Sequence, residues 1–210
     1  MITYKDVGAA KRRELYVDLD GVMLNDISPV LEGIGFTKFE RAGGERLAPL
    51  LRTAGEGFLY SARKVSPLFY LAGKNILEEY TFTPEVIELI KDAQREGIKV
   101  YGITSNPLRD VKDTERRLKE EAGIELEDII KVKRSSEKWD MIKNRDSKAV
   151  LVNDDTDAFK HFKEEEDKMG FLLRFNHFAI QDFVTLKLKK GLRGGNTCDL
   201  HRAVMGFLRE

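Results

Sequence analysis

The chain has 210 residues, room for one ordinary domain carrying an insertion or for two small ones, and a main domain of that size buries about 70% of its unfolded surface. Lys plus Arg and Asp plus Glu both number 36, so the formal net charge is zero and the bulk balance recruits neither nucleic acid nor an anionic membrane. The lone cysteine, Cys198, excludes an intramolecular disulfide and a Cys-rich zinc site; with no stretch near the roughly 20 apolar residues of a membrane span and no apolar signal in Met1 to Arg13, a cytoplasmic protein is expected.

In chain order, Leu15 to Leu19 is the first apolar run and predicts a strand. Pro84 to Glu96 predicts a helix, with Thr83 as N-cap, Pro84 at its first position, and Val86, Ile87, Leu89, Ile90 and Ala93 on one face. Gly97 stops it, and Ile98 to Thr104 follows as a second strand. Val111 to Ala122 reads as a charged amphipathic helix ended by Gly123, and Asp128 to Val132 as a third strand. A helix from Glu137 to Asn144, behind Ser135 and Ser136, leads to the strand Ala149 to Val152. Ala158 to Met169 is expected to be helical, with the acidic run Glu164 to Asp167 as its solvated face, and Phe171 to Phe175 to be a strand. Beyond Asn176, Phe178 to Lys190 reads as helix, Gly191 to Asn196 as a turn, and Leu200 to Leu208 as a closing helix.

Strands alternating with helices predict an α/β fold, a Rossmann-like, doubly wound parallel sheet that binds ligands outside the carboxyl ends of its strands. One region breaks the alternation. Residues 26–82 carry short helical patterns, such as Glu45 to Leu51 and Asn75 to Tyr80, broken by several glycines. A crossover between parallel strands needs only about a dozen residues, so this stretch is expected to be a small, mainly helical lid inserted after the first strand. Residues 1–25 and 83–210 then form the core.

The chemistry-bearing residues gather where apolar runs stop. Asp18 and Asp20, separated by one leucine and followed by Gly21, end the first strand. Like charges so close destabilise one another unless a cation or a reaction uses them. Thr104, Ser105 and Asn106 end the second strand, and Asp154 and Asp155 follow the fourth. Lys138 opens a helix after the third.

In these segments, Asp18-Leu19-Asp20-Gly21-Val22, Ile103-Thr104-Ser105-Asn106, a lysine and Asp154-Asp155, the chain resembles the haloacid dehalogenase (HAD) superfamily, whose four motifs occur in this order. The third motif is only a lysine: Lys138 is the choice, with Lys133 and Lys131 as alternatives, and Asp157 competes with Asp155 in the fourth. The resemblance covers the core from Leu15 to Phe175, and the position of the lid is similar to the cap class called C1.

The resemblance implies a Mg²⁺-dependent phosphatase. Asp18 would attack phosphorus and carry the phosphoryl group as an ester, while Asp20 would serve as general acid and then general base, a role that asks for a carboxyl able to change protonation near neutral pH. Thr104, Ser105, Asn106 and Lys138 would hold the phosphate. Asp18, the Asp20 carbonyl, Asp154 and Asp155 would hold or support the metal, hard oxygen ligands that suit Mg²⁺. Asp20 itself points away from dehalogenases, which lack this second acid. The expected partner is a small phosphorylated metabolite; the lid offers Arg41, Arg46, Arg52, Arg63 and Lys64 as anion contacts, most of them expected to be ordinary solvated residues. A phosphotransferase sharing the intermediate and a non-catalytic metabolite-binding protein on the same fold are the alternatives.

Overall fold

The computed structural model describes residues 11–25, 80–106, 109–163, 165–176, 179–186, 192–194 and 197–210. The lid expected over residues 26–82, including its basic residues and the pattern Glu45 to Leu51, lies outside them except for its last three positions. In chain order the elements are β1 (Arg13–Asp18), β2 (Leu24–Asn25), β3 (Thr81–Phe82), α1 (Pro84–Arg95), β4 (Lys99–Thr104), α2 (Val111–Arg117), β5 (Asp128–Lys131), α3 (Glu137–Lys143), β6 (Lys148–Asn153), β7 (Lys168–Asn176), β8 (Ala179–Leu186), β9 (Leu192–Gly194) and α4 (Thr197–Arg209).

Seven strands form one sheet in the order β5-β4-β1-β6-β7-β8-β9. The first five are parallel, as the alternation of strands and helices predicts. β8 runs antiparallel to β7 and β9 antiparallel to β8, so the sheet is mixed at that edge. This corrects the expected helix over Phe178 to Lys190: the segment follows β7 directly, where the cheapest partner for its backbone is the open edge of the sheet. Ile180, Val184 and Thr185, all β-branched, suit that pairing. A second correction concerns Ala158 to Met169. Only a 3-10 turn, Thr156–Phe159, forms there, and Lys168 already opens β7. A helix would set the like charges of Glu164 and Asp167 one turn apart, whereas in the turn Asp167 is neutralised by Lys11 and Lys168 at 3.0 and 3.3 Å.

Alternating side chains of the central strands feed two cores. Leu15 and Val17 face α1 and α4, packing with Val86, Ile90, Val204 and Met205, while Tyr16 faces the opposite layer with Trp139 and Ile142 of α3. Each Val, Leu or Ile buried this fully contributes about 1.5–3 kcal/mol relative to exposure. α2 is shorter than its sequence pattern. After Arg117 the chain widens into a π-helical turn, Leu118–Ala122, closed by Gly123 at φ 67, a left-handed conformation that glycine adopts without penalty. The wide turn buries Leu118 while Arg117 reaches Glu121 at 2.6 Å.

Two features position the site. Val17 registers with Gly102 of β4 on one side and with Val152 of β6 on the other, which brings the carboxyl ends of β1, β4 and β6 to one rim. Chain order also reverses there: β4 and β5 lie on one side of β1, β6 and β7 on the other, the switch point where an open α/β sheet leaves a crevice. β2 and β3 pair antiparallel, Leu24 with Phe82 and Asn25 with Thr81, so residues 25 and 81 meet beside that rim. Among the described residues no helix is long and apolar enough to cross a membrane.

Candidate active site

β1 ends at Asp18, and the chain turns sharply after it. Met23 N donates to Asp18 O at 3.1 Å, Leu24 N to Leu19 O at 2.8 Å and Gly21 N to Leu24 O at 2.9 Å, so the loop is closed by its own backbone. Gly21 has φ 86, and a Cβ there would collide with the Asp154 carboxylate. The glycine serves two ends: it allows the turn, and it makes room for the acid that follows β6.

Asp18 is 3% exposed and its Oδ1 meets Lys138 Nζ at 2.7 Å. Lys138 is buried too, carried inward at the start of α3. The alternatives differ in place: Lys131 Nζ donates to Arg109 O at 2.9 Å, and Lys133 is exposed. Burial pushes the Asp18 carboxyl above its ordinary pKa; Lys138 opposes that, and the charges of Asp154 and Asp20 add to it. Asp154 has a face open to solvent, yet the protein crowding its carboxylate strips enough water to raise its pKa as well, with Lys138 again opposing. Asp155 sits differently. Its Oδ1 accepts from Asp157 N at 2.9 Å and caps the 3-10 turn, while Asp157 itself is exposed.

Asp20 belongs to a second cluster, built from the end of β4 and the loop after it. Thr104 Oγ1 donates to Asp20 Oδ2 at 2.6 Å, Asn106 Nδ2 to Oδ1 at 3.1 Å, and Arg109 to Oδ1 through Nε at 3.0 Å and through Nη2. Burial alone would raise the Asp20 pKa, but the Arg109 charge and these hydrogen bonds outweigh it and hold the carboxyl below its ordinary value. Against the expectation of a group that changes protonation near neutral pH, Arg109 and these hydrogen bonds favour the ionised form of Asp20. Thr104 also differs, since its proton goes to Asp20 and its oxygen accepts Asn106 N at 2.9 Å, leaving neither directed at a phosphate. Ser105 is half-buried between them.

Arg109 is the residue that sequence reasoning missed. It is 3% exposed and stands in the linker between β4 and α2, where no periodicity flags it. Arg109 N donates to Asn106 O at 3.3 Å, and its guanidinium reaches Asp20 at the β1 rim.

The donor set fits a hard divalent cation. Burial, more than any neighbouring charge, raises the pKa of both Asp18 and Asp154, and a cation beside them would favour their charged forms. No group of three or more His, Cys, Asp or Glu side chains gathers as a ligand set among the described residues. The carboxylates of Asp18 and Asp154 are hard oxygen donors, the kind that a hard divalent cation takes.

No protein-family model matches the chain, and no curated protein matches it in sequence. Among solved structures it is similar to a hydrolase from Streptococcus pneumoniae TIGR4, with 17% identity, a TM-score of 0.38, and 71% of this chain and 87% of that chain covered. A candidate β-phosphoglucomutase from Thermotoga maritima shows 16% identity and a TM-score of 0.40 over 79% of this chain and 88% of that one. A candidate HAD-hydrolase from Bacillus subtilis, bound to magnesium, shows 14% identity and a TM-score of 0.38 over 69% of this chain and 79% of that one. These likenesses are of outline. The chemistry of this chain is read from its own side chains.

Proposed function

We propose that the chain is a Mg²⁺-dependent phosphatase of the HAD superfamily, acting in the cytoplasm on a small phosphorylated metabolite. The observation that carries this reading is the buried Asp18–Lys138 pair with Asp154 crowding it at the carboxyl end of the neighbouring strand. A carboxylate buried against a lysine and a second acid is too costly for stability alone. It suits a nucleophile whose charge must be balanced when a phosphoryl group arrives.

Asp18, Asp154 and the Asp20 carbonyl would hold the Mg²⁺, which when bound neutralises charge on the phosphoryl oxygens. In the first step an Asp18 carboxylate oxygen forms a bond to phosphorus while the ester P–O bond breaks; the departing alkoxide takes the proton of Asp20 in its acid form. In the second, a water oxygen bonds to phosphorus, the Asp18 O–P bond breaks, and the water proton goes to Asp20. Lys138 offsets the negative charge on Asp18 and the phosphate throughout. An aryl phosphate, whose acidic leaving group departs unprotonated, needs Asp20 only as the base of the second step.

The test is released phosphate from a panel of phosphate esters with Mg²⁺, beginning with p-nitrophenyl phosphate. Metal-dependent turnover that vanishes in Asp18→Asn is the expected result. Turnover that persists in that variant, or none across the panel, overturns the reading.

A further inference from the structure

Building on the phosphatase reading, we infer that Arg109 is the positioning residue for Asp20, the group that fixes where its carboxylate oxygens point during turnover. Asp20 has a short side chain at the end of a turn and would otherwise rotate about its own bonds. Its two oxygens are pinned from separate elements: Oδ2 by Thr104 at 2.6 Å, and Oδ1 by the two nitrogens of the Arg109 fork and by Asn106. A guanidinium contributes two donors in a rigid plane, which sets orientation as well as charge; a lysine ammonium would supply the charge alone.

The location of Arg109 argues that orientation is its task. Its side chain is 2% exposed, and burying a guanidinium carries a desolvation cost that an apolar residue in the same space would not incur. The plane is backed by the Tyr80 ring, whose centroid lies 5.0 Å from Arg109 Cζ, and the Arg109 carbonyl accepts from Lys131. Tyr80 is itself buried and its carbonyl accepts from Arg117 Nη2 at 3.2 Å. Ring and backbone together therefore leave the fork little freedom to move away from Asp20. General acid–base catalysis depends on such placement, since a misaligned group loses most of its effect.

The test uses the full chain with p-nitrophenyl phosphate and Mg²⁺, comparing wild type, Asp18→Asn, Asp20→Asn, Arg109→Lys, Arg109→Gln and the double variant Asp20→Asn with Arg109→Lys. Arg109→Lys is expected to lower kcat about 10²-fold while KM stays within about threefold and the melting temperature holds. In the Asp20→Asn background the same change is expected to add less than about twofold, because its target is already gone. An unchanged kcat in Arg109→Lys overturns the inference, and so does an equal loss in both backgrounds. Failure of both Arg109 variants to fold would make the residue a structural support and overturn it as well. Wild type without turnover, or active Asp18→Asn, sinks the phosphatase reading and this inference together; an active wild type with a dead Asp18→Asn and unaffected Arg109 variants sinks this inference alone.

Discussion

The two ends of the central strands both carry buried charge, and they treat it in opposite ways. At the amino end Glu14, 4% exposed, accepts from Tyr16 OH and Ser147 Oγ, each at 2.7 Å, while Lys168 donates to Ser147 O and pairs with Asp167. Burial, and then the bond to Glu14, pushes the Tyr16 phenol above its ordinary pKa, so its proton stays in place. At the carboxyl end Asp18 pairs with Lys138 at 2.7 Å, and the charges of Asp154 and Asp20 bear on it from the neighbouring loops. The first network is closed by protein groups and serves the fold. The second concentrates like charge on one rim, and that imbalance marks the place where a cation would be welcome.

The contrast breaks most visibly through Asp18. Asp18→Asn is expected to reduce phosphate release by about 10⁴-fold or more, equal to about 5.4 kcal/mol of barrier; a variant within tenfold of wild type would remove the carboxyl rim from the chemistry. Glu14→Ala attacks the closed end instead. It leaves Tyr16 and Ser147 without their buried partner and is expected to cost about 3 kcal/mol in urea unfolding, with kcat unchanged. Should kcat fall while stability holds, the two ends would have exchanged roles.

Metal binding sharpens the comparison without any substrate. Mg²⁺ at a hundred times its Kd is expected to stabilise the chain by about 2.7 kcal/mol, read from urea melts, and Asp154→Asn is expected to abolish that gain. Equal stabilisation of the variant would place the cation elsewhere. The smallest effect comes from Gly21→Ala, which combines a left-handed backbone with a collision against Asp154. It is expected to cost about 1–2 kcal/mol and to weaken the Mg²⁺ effect in the same titration.

The sequence was most readable where one short stretch holds its own reason. The runs before Asp18, Thr104 and Asn153 are apolar because both faces of their strands are covered, so β1, β4 and β6 and the polar residues that end or follow them stood out. α1 announced itself through Pro84 and its apolar stripe. Legibility failed where the deciding partner is remote. Residues 158–169 show enough helical spacing to suggest a helix, yet Lys11, distant in sequence, helps neutralise Asp167 in a turn. Phe178 to Lys190 reads as helix from its own spacing, and the open edge of β7 made Ala179–Leu186 a strand. Arg109 sits in a linker and acquires its meaning only from Asp20, 89 positions earlier.

By itself, then, the order of residues determined the layered α/β plan and the acids, hydroxyl and amine brought to its carboxyl rim, because strand length, apolar alternation and helix caps are local interactions. Tertiary structure alone decided the states of those groups: Asp18 against Lys138, Asp20 ionised under Arg109 and Thr104, Asp155 turned to capping. Burial and charge act through space, so the properties of each acid follow from neighbours that the chain brings in from elsewhere.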